Sequence, residues 1–354
     1  MLKHSLSVFL QRRSNKGGTA MSFRIVHGYT PPIRSKDGSH PPKSIASMEI
    51  FNLRGFPQWV VLRGHDTDNP LLLFFHGGPG ASQTGAQRRY LAGLEEKYTV
   101  VNWDYRGAGK NYQPGIPPET MTIGHLLKDA RELAVQLLQK FGQRRLFVMG
   151  HSFGALFGLR FVNAYPELVR AYVGINQPTD RAAEEGRSYE WVYQEAEKRG
   201  LKKAVAVLER MGAPRNGLYK TMSDFVQQRK LLTKLGGVAF EQSPTQINVI
   251  SNLFTPELSW PERFRFMKGF SFSNEHLWDE FVGHNLFEQI REVRVPVYFV
   301  AGAHDRICHD LIMEYVKQLK APSIHVDIFE KSGHLACFEE PDRFMRLMTE
   351  EVLV

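Results

Sequence analysis

Five residues fix most of what this chain can become. Gly150-His151-Ser152-Phe153-Gly154 follows the apolar run Leu146, Phe147, Val148, Met149 and opens a helix-like stretch from Ala155 onward. A serine on a sharp strand-to-helix turn has a strained backbone with another chain segment close by, so it needs neighbours without side-chain bulk on both sides. Gly150 and Gly154 supply them. The run before the turn is short and wholly apolar, as in a parallel strand buried on both faces. The spacing therefore predicts an exposed serine hydroxyl held between a buried strand and a helix.

A second glycine cluster carries comparable information. Leu71, Leu72, Leu73, Phe74 and Phe75 form another continuous apolar run, and it ends in His76-Gly77-Gly78-Pro79-Gly80. Three glycines and a proline after a buried strand let the backbone turn tightly with its N–H groups uncovered, which is what stabilising an oxyanion requires. The candidate donors are Gly77 and Gly78, together with Phe153 directly after the serine.

Around these two motifs the chain alternates strand and helix patterns. Residues 45–63 read as an antiparallel hairpin turning at Gly55-Phe56-Pro57. Residues 98–103 read as a strand leading into Asp104-Tyr105-Arg106-Gly107-Ala108-Gly109, where Asp104 and Arg106 are expected to pair and brace the loop. Residues 123–141 repeat Leu126, Leu127, Ala130, Leu133, Ala134, Leu137 and Leu138 at helical spacing, and 169–176 supply another strand. The class is α/β with a mainly parallel central sheet flanked by helices.

Between 177 and 290 the strand signal lapses. Residues 189–211 and 223–235 read as charged helices and 275–287 as an aromatic one, which predicts a helical lid inserted into the α/β domain and enclosing a pocket. Strand character resumes at Val295, Pro296, Val297 and continues to Val300, with Asp305 just beyond it. The last strand, 324–329, is followed by His334. Chain order is thus Ser152, Asp305, His334, each placed after the carboxyl end of a strand. A hydroxyl is a poor nucleophile unless a base takes its proton, and a histidine base needs a carboxylate to fix its tautomer and stabilise the imidazolium. Turnover is therefore expected to fall as acid protonates His334. His304 and His309 flank the proposed acid, while His325 and Asp327 lie inside a strand. Asp310 reads as the N-terminal charge of a helix. Cys308 and Cys337 each follow a triad member by three residues and are expected near the site, as reactive thiols or as inert buried ones.

The net charge of +8 suggests a nucleic-acid partner until its distribution along the chain is considered. Lys3, Arg12, Arg13, Lys16, Arg24, Arg34 and Lys36 precede the first acidic residue, Asp37, and the remainder is nearly balanced. No partner among nucleic acids is expected. No run is long enough to span a membrane, two cysteines are too few for a disulfide framework, and 6–10 is too short for a secretory core. These features predict a cytoplasmic protein. No metal-ligand cluster or phosphate loop suggests a cofactor or a metal. The expected organisation is a basic flexible leader at 1–40, a first core part at 41–176, the lid at 177–290 and a second core part at 291–354.

Taken together, His76-Gly77-Gly78-Pro79-Gly80, Asp104-Tyr105-Arg106-Gly107-Ala108-Gly109, Gly150-His151-Ser152-Phe153-Gly154, Asp305 and His334 resemble the proline iminopeptidase branch of the α/β-hydrolase family, over nearly the whole chain after Ile45. The resemblance implies an α/β-hydrolase fold and release of a small N-terminal residue, proline in the type members, from a short peptide by way of an acyl-enzyme. A related amide, ester or lactone is the alternative substrate, and a slowly turning-over ligand sensor is a third reading. The family commonly has tryptophan where Phe153 stands, glutamine at Tyr105 and cysteine at Ala108, changes that bear on substrate more than on chemistry. Its type members bind the free amine with acidic lid residues. Glu184 and Glu185 are the candidates here, with Glu190 as a further one, against the alternative of exposed helix charges.

Overall fold

The computed structural model describes residues 28–35 and 37–354. Most of the expected leader, 1–27 and residue 36, lies outside the described residues. Eight strands form one sheet: β1 (Ile45–Leu53), β2 (Phe56–Gly64), β3 (Leu71–Phe75), β4 (Thr99–Trp103), β5 (Leu146–His151), β6 (Val169–Ile175), β7 (Val297–Gly302) and β8 (Ile324–Phe329). Their order across the sheet is β1-β2-β4-β3-β5-β6-β7-β8, antiparallel at β1/β2 and β2/β4 and parallel elsewhere.

The apolar runs are buried because each face of the sheet has its own cover. Side chains alternate along a strand, so Leu71, Leu73 and Phe75 enter one core with Leu126, Ala130, Leu133, Leu156 and Phe157. Leu72 and Phe74 enter the other, with Tyr98, Phe338, Phe344 and Met348. The helices α1 (Thr84–Tyr90), α2 (Ile123–Phe141) and α3 (Phe153–Ala164) fall within the first half of the core. Thr122 caps α2 by accepting from the His125 N–H, and Gly142 ends it in the left-handed region at φ 64°.

The hairpin turns one step earlier than the sequence suggests. Leu53 pairs with Phe56 and Asn52 with Pro57, so the turn is Arg54-Gly55, with φ of 53° and 83°. Two consecutive positive φ values suit a two-residue hairpin, whose twist then matches the strands.

From β6 to β7 the chain is helical: α4 (Arg181–Lys198), α5 (Lys202–Met211), α6 (Met222–Leu235), α7 (Trp260–Val282) and α8 (Leu286–Gln289), with shorter turns between. The expected single helix over 189–211 is two, broken at Gly200, whose φ of 65° falls outside the helical range. The aromatic helix starts at Trp260, far ahead of 275, under a capping box of Ser259 and Glu262. After β7 come α9 (His309–Tyr315), α10 (Ala336–Glu339) and α11 (Pro341–Arg346). The segment after α6 is tied to the loops beyond β7 and β8: Gly237 O accepts from Arg306 N–H at 2.9 Å and Val238 O from His334 N–H at 2.6 Å. No helix among the described residues is long and apolar enough to cross a membrane.

Candidate active site

Ser152 sits between β5 and α3 at φ 54° and ψ −122°, a region that non-glycine residues rarely occupy. The two flanking glycines are sterically required. A Cβ on Gly150 would lie 2.2 Å from Gly154 O, and one on Gly154 would lie 2.0 Å from Phe75 O in β3. That closeness brings the serine beside the loop that follows β3.

His334 faces Ser152 with its Nε2 2.9 Å from the Ser152 Oγ, and its Nδ1 lies 2.9 Å from Asp305 Oδ2. A carboxylate accepts, so Nδ1 carries the proton and Nε2 is left to accept from the hydroxyl. Asp305 is buried. Burial alone would raise its carboxyl, but His334, the Ile307 N–H at 2.7 Å and the Asn176 amide at 2.9 Å outweigh that and hold it below the usual range. Asn176, itself at φ 48° after β6, also donates to Gly333 O at 3.1 Å and accepts from Ala336 N–H. One side chain thus locks the acid to the loop carrying the base. Sequence reasoning missed it because an asparagine at a strand end reads as a turn residue.

Of the three candidate oxyanion donors, the structure leaves two available. Gly77 N–H donates to Gln83 Oε1 at 3.1 Å, whereas the Gly78 and Phe153 N–H groups have no partner among the described residues. Gln83, buried and unmarked by any motif, explains the difference. The His151 Nε2–H donates to His334 O at 2.7 Å, so its Nδ1 is an acceptor, and Gln83 Nε2 donates to it at 3.0 Å. Burial, with His334 beside it, pushes His151 down to about 3, so it stays neutral. The result is one buried relay from the Gly77 N–H through Gln83 and His151 to the backbone of His334. Tyr105 braces the same loop from behind by donating its hydroxyl to His76 O at 2.9 Å.

Asp104 and Arg106 do not pair. Arg106 binds Asp129 of α2 through both carboxylate oxygens, at 2.8 and 3.0 Å, while Asp104 accepts from the Lys110 N–H. The guanidinium lies over the Phe56 ring, so it is drawn toward the hairpin and away from the loop.

Glu184 and Glu185 are not at the cavity surface, contrary to the expectation for an amine-binding pair. Both are buried in α4. Glu184 accepts from the Thr179 N–H and from Arg181 Nη1, and Glu185 Oε1 is shared by Arg181 and Arg229. The i, i+3 and i, i+4 spacing from Arg181 makes these pairs geometrically natural on one helix face. Glu190 accepts from Gln194 along the same helix. Asp327 pairs with Arg343, and His325 stacks on Tyr298, both away from the serine.

A cavity of about 410 Å³ opens over Ser152 and His334, walled by Phe225 of α6 and by Phe266, Phe270, Trp278 and Phe281 of α7. Cys308 and Cys337 are buried, and burial pushes both thiols well up, so neither favours the reactive thiolate. Cys308 Sγ lies within 4.8 Å of ligand atoms of Asp305 and His334. With its thiol held protonated and the other two bonded to each other, the trio suits a hydrogen-bonded site better than a metal.

Fold and site define a class: an α/β enzyme whose serine, aspartate and histidine converge at the carboxyl edge of its sheet. Known proteins of the same kind share its sequence as well as its shape. The family described as the alpha/beta hydrolase fold matches residues 70–203. YbaC, a probable aminopeptidase of Bacillus subtilis, is 32% identical over 310 residues, covering 87% of this chain and 96% of that relative. A proline iminopeptidase of Saccharolobus solfataricus is 24% identical over 313 residues, 85% of this chain and 89% of the relative. The solved proline iminopeptidase of Mycobacterium smegmatis matches with a TM-score of 0.62 at 17% identity, over 87% of this chain and 97% of that one, a likeness of fold. The chain belongs to the α/β-hydrolase family, in its proline iminopeptidase-like branch.

Proposed function

We propose that this protein is a serine hydrolase that works through an acyl-enzyme and releases a small N-terminal residue, proline among them, from short peptides. The observation that carries the chemistry is the line from Asp305 through His334 to Ser152, with 2.9 Å at each step. In this reading Ser152 Oγ attacks the scissile carbonyl while His334 Nε2 takes its proton. The carbonyl oxygen, now negative, accepts from the Gly78 and Phe153 N–H groups. His334 then gives the proton to the leaving amine, and a water repeats the sequence on the acyl-enzyme.

The peptide substrate is supported by the relatives, named a probable aminopeptidase and a proline iminopeptidase. A second reading, an ester, lactone or other amide without a free amine, is favoured by the cavity itself, which no carboxylate side chain among the described residues lines. A buried ammonium left unpaired costs several kcal/mol. Pro- and Ala-arylamides, their N-acetylated analogues and simple acetyl esters, assayed side by side, discriminate the readings. Faster hydrolysis of the free amines is the expected result. Turnover of esters alone would transfer the assignment to the second reading, and absence of both turnover and fluorophosphonate labelling would remove the acyl-enzyme.

Gln83→Leu should separate positioning from binding. It breaks the relay between the oxyanion loop and His151, so kcat is expected to fall on the order of tenfold with KM nearly held, since donors displaced by fractions of an ångström serve the transition state most. A change confined to KM would assign Gln83 to substrate contact instead.

A further inference from the structure

The charged groups that reach the cavity are all of one sign apart from the triad. Arg181 and Arg229 line it, and among the described residues no aspartate or glutamate does. Both guanidiniums are fixed in place. Arg181 lies over the Phe281 ring at 5.0 Å, and Phe281 packs edge-on against Phe153, the residue after the serine. Arg229 lies over Phe225, which packs on Trp278, which in turn meets Phe281. An aromatic wall thus runs from the nucleophile to both arginines.

Two carboxylates serve the two guanidiniums, and they are divided unevenly. Glu185 Oε1 is shared between the two, and Glu184 serves Arg181 alone. Burial pushes the Glu184 carboxyl up, to about 7, even with Arg181 against it. Arg181 is almost wholly buried, and its Nε–H has no partner among the described residues. A buried donor of this kind is costly unless something accepts from it. Arg229 keeps a side chain 20% exposed, with one Nη on Gln228 and the other on Glu185.

We propose that Arg229, with Arg181 behind it, forms an anion subsite in the catalytic cavity and that the natural substrate is an amide or ester bearing a carboxylate. A carboxylate is the acceptor that a planar guanidinium matches best. The inference rests on the acyl-enzyme reading but not on the nature of the scissile bond. In a peptide substrate the carboxylate is the free C-terminus of a dipeptide or tripeptide; in an ester or other amide it lies on the acyl group.

The test uses two matched sets with the full chain. The acyl set compares the 4-nitrophenyl esters of pentanoate and of glutarate, which differ in their terminal charge. The leaving-group set compares a Pro- or Ala-dipeptide with its C-terminal amide. The charged member of at least one set is expected to be favoured by about tenfold in kcat/KM, with the ratio collapsing toward one in Arg229→Gln. Equal rates within both sets, or a preference that survives Arg229→Gln, overturns the subsite. Fluorophosphonate labelling of Ser152 is read in parallel in both proteins. Labelling without charge preference removes only the subsite, whereas absence of labelling in the parent removes the acyl-enzyme beneath it.

Discussion

Ser152→Ala is expected to lower kcat/KM by several thousandfold or more on any substrate the protein turns over, and to abolish fluorophosphonate labelling. The effect is large because, in the proposed mechanism, serine and histidine act as a unit: without the hydroxyl, the histidine 2.9 Å away would have no nucleophile to activate. A factor of about 10⁴ corresponds to roughly 5 kcal/mol of transition-state stabilisation. The residual rate reports what the Gly78 and Phe153 N–H groups and substrate binding achieve alone. Because alanine adds no bulk, thermal stability should stay level or rise, since the site no longer holds a polar group for chemistry. Labelling that persisted in the variant would mean that another residue is the nucleophile.

Gly154→Ala is expected to unfold the protein or remove on the order of 3 kcal/mol or more of stability. The added Cβ would meet Phe75 O at 2.0 Å and His76 O at 2.5 Å, both backbone atoms. Relief requires moving α3 away from β3, which pulls the Phe157 ring off the Phe75 ring it meets edge-on at 4.9 Å. A domain with a total stability of about 5–15 kcal/mol has little room for that. Gly186→Ala supplies the control. Gly186 lies within α4, and a Cβ added there would meet nothing within 4 Å beyond its own helix backbone, so alanine should stabilise by roughly 0.5–1 kcal/mol. Opposite signs in thermal midpoint are the expected pair of outcomes. A midpoint for Gly154→Ala within about a degree of the parent would refute the close approach of helix and strand.

Much of this architecture is legible in sequence because its determinants are local. A short, wholly apolar run with glycine close behind it has few alternatives to a buried strand, and β3 and β5 fall where the runs 71–75 and 146–149 do. Ser152, Asp305 and His334 could be ranked because each comes after the carboxyl end of a recognisable strand. What sequence did not reveal depends on partners far along the chain. The Gly77 N–H is engaged because Gln83 turns back onto it while also reaching His151, 68 residues away. Arg106 leaves Asp104 for Asp129, supplied by a helix 23 residues on. Glu185 faces inward because Arg229, 44 residues later, arrives from α6 to meet it. Only the Arg181 pairs carried a local signal, in their spacing along α4, and weighing that spacing would have turned both glutamates away from the role of amine binders.

The two backbone hydrogen bonds from Gly237 and Val238 make the cover and the catalyst one mechanical unit. Arg306 directly follows Asp305, the proposed acid, and His334 is the proposed base, so the loop after α6 grips the chain at both. There is no slack at the grip, for a Cβ on Gly333 would lie 2.4 Å from Val238 O. Lifting this stretch as a hinged flap would therefore tug the aspartate and histidine out of register with the serine. Under the proposed mechanism, shutting this side of the chamber and aligning Asp305 and His334 with Ser152 would then be one event.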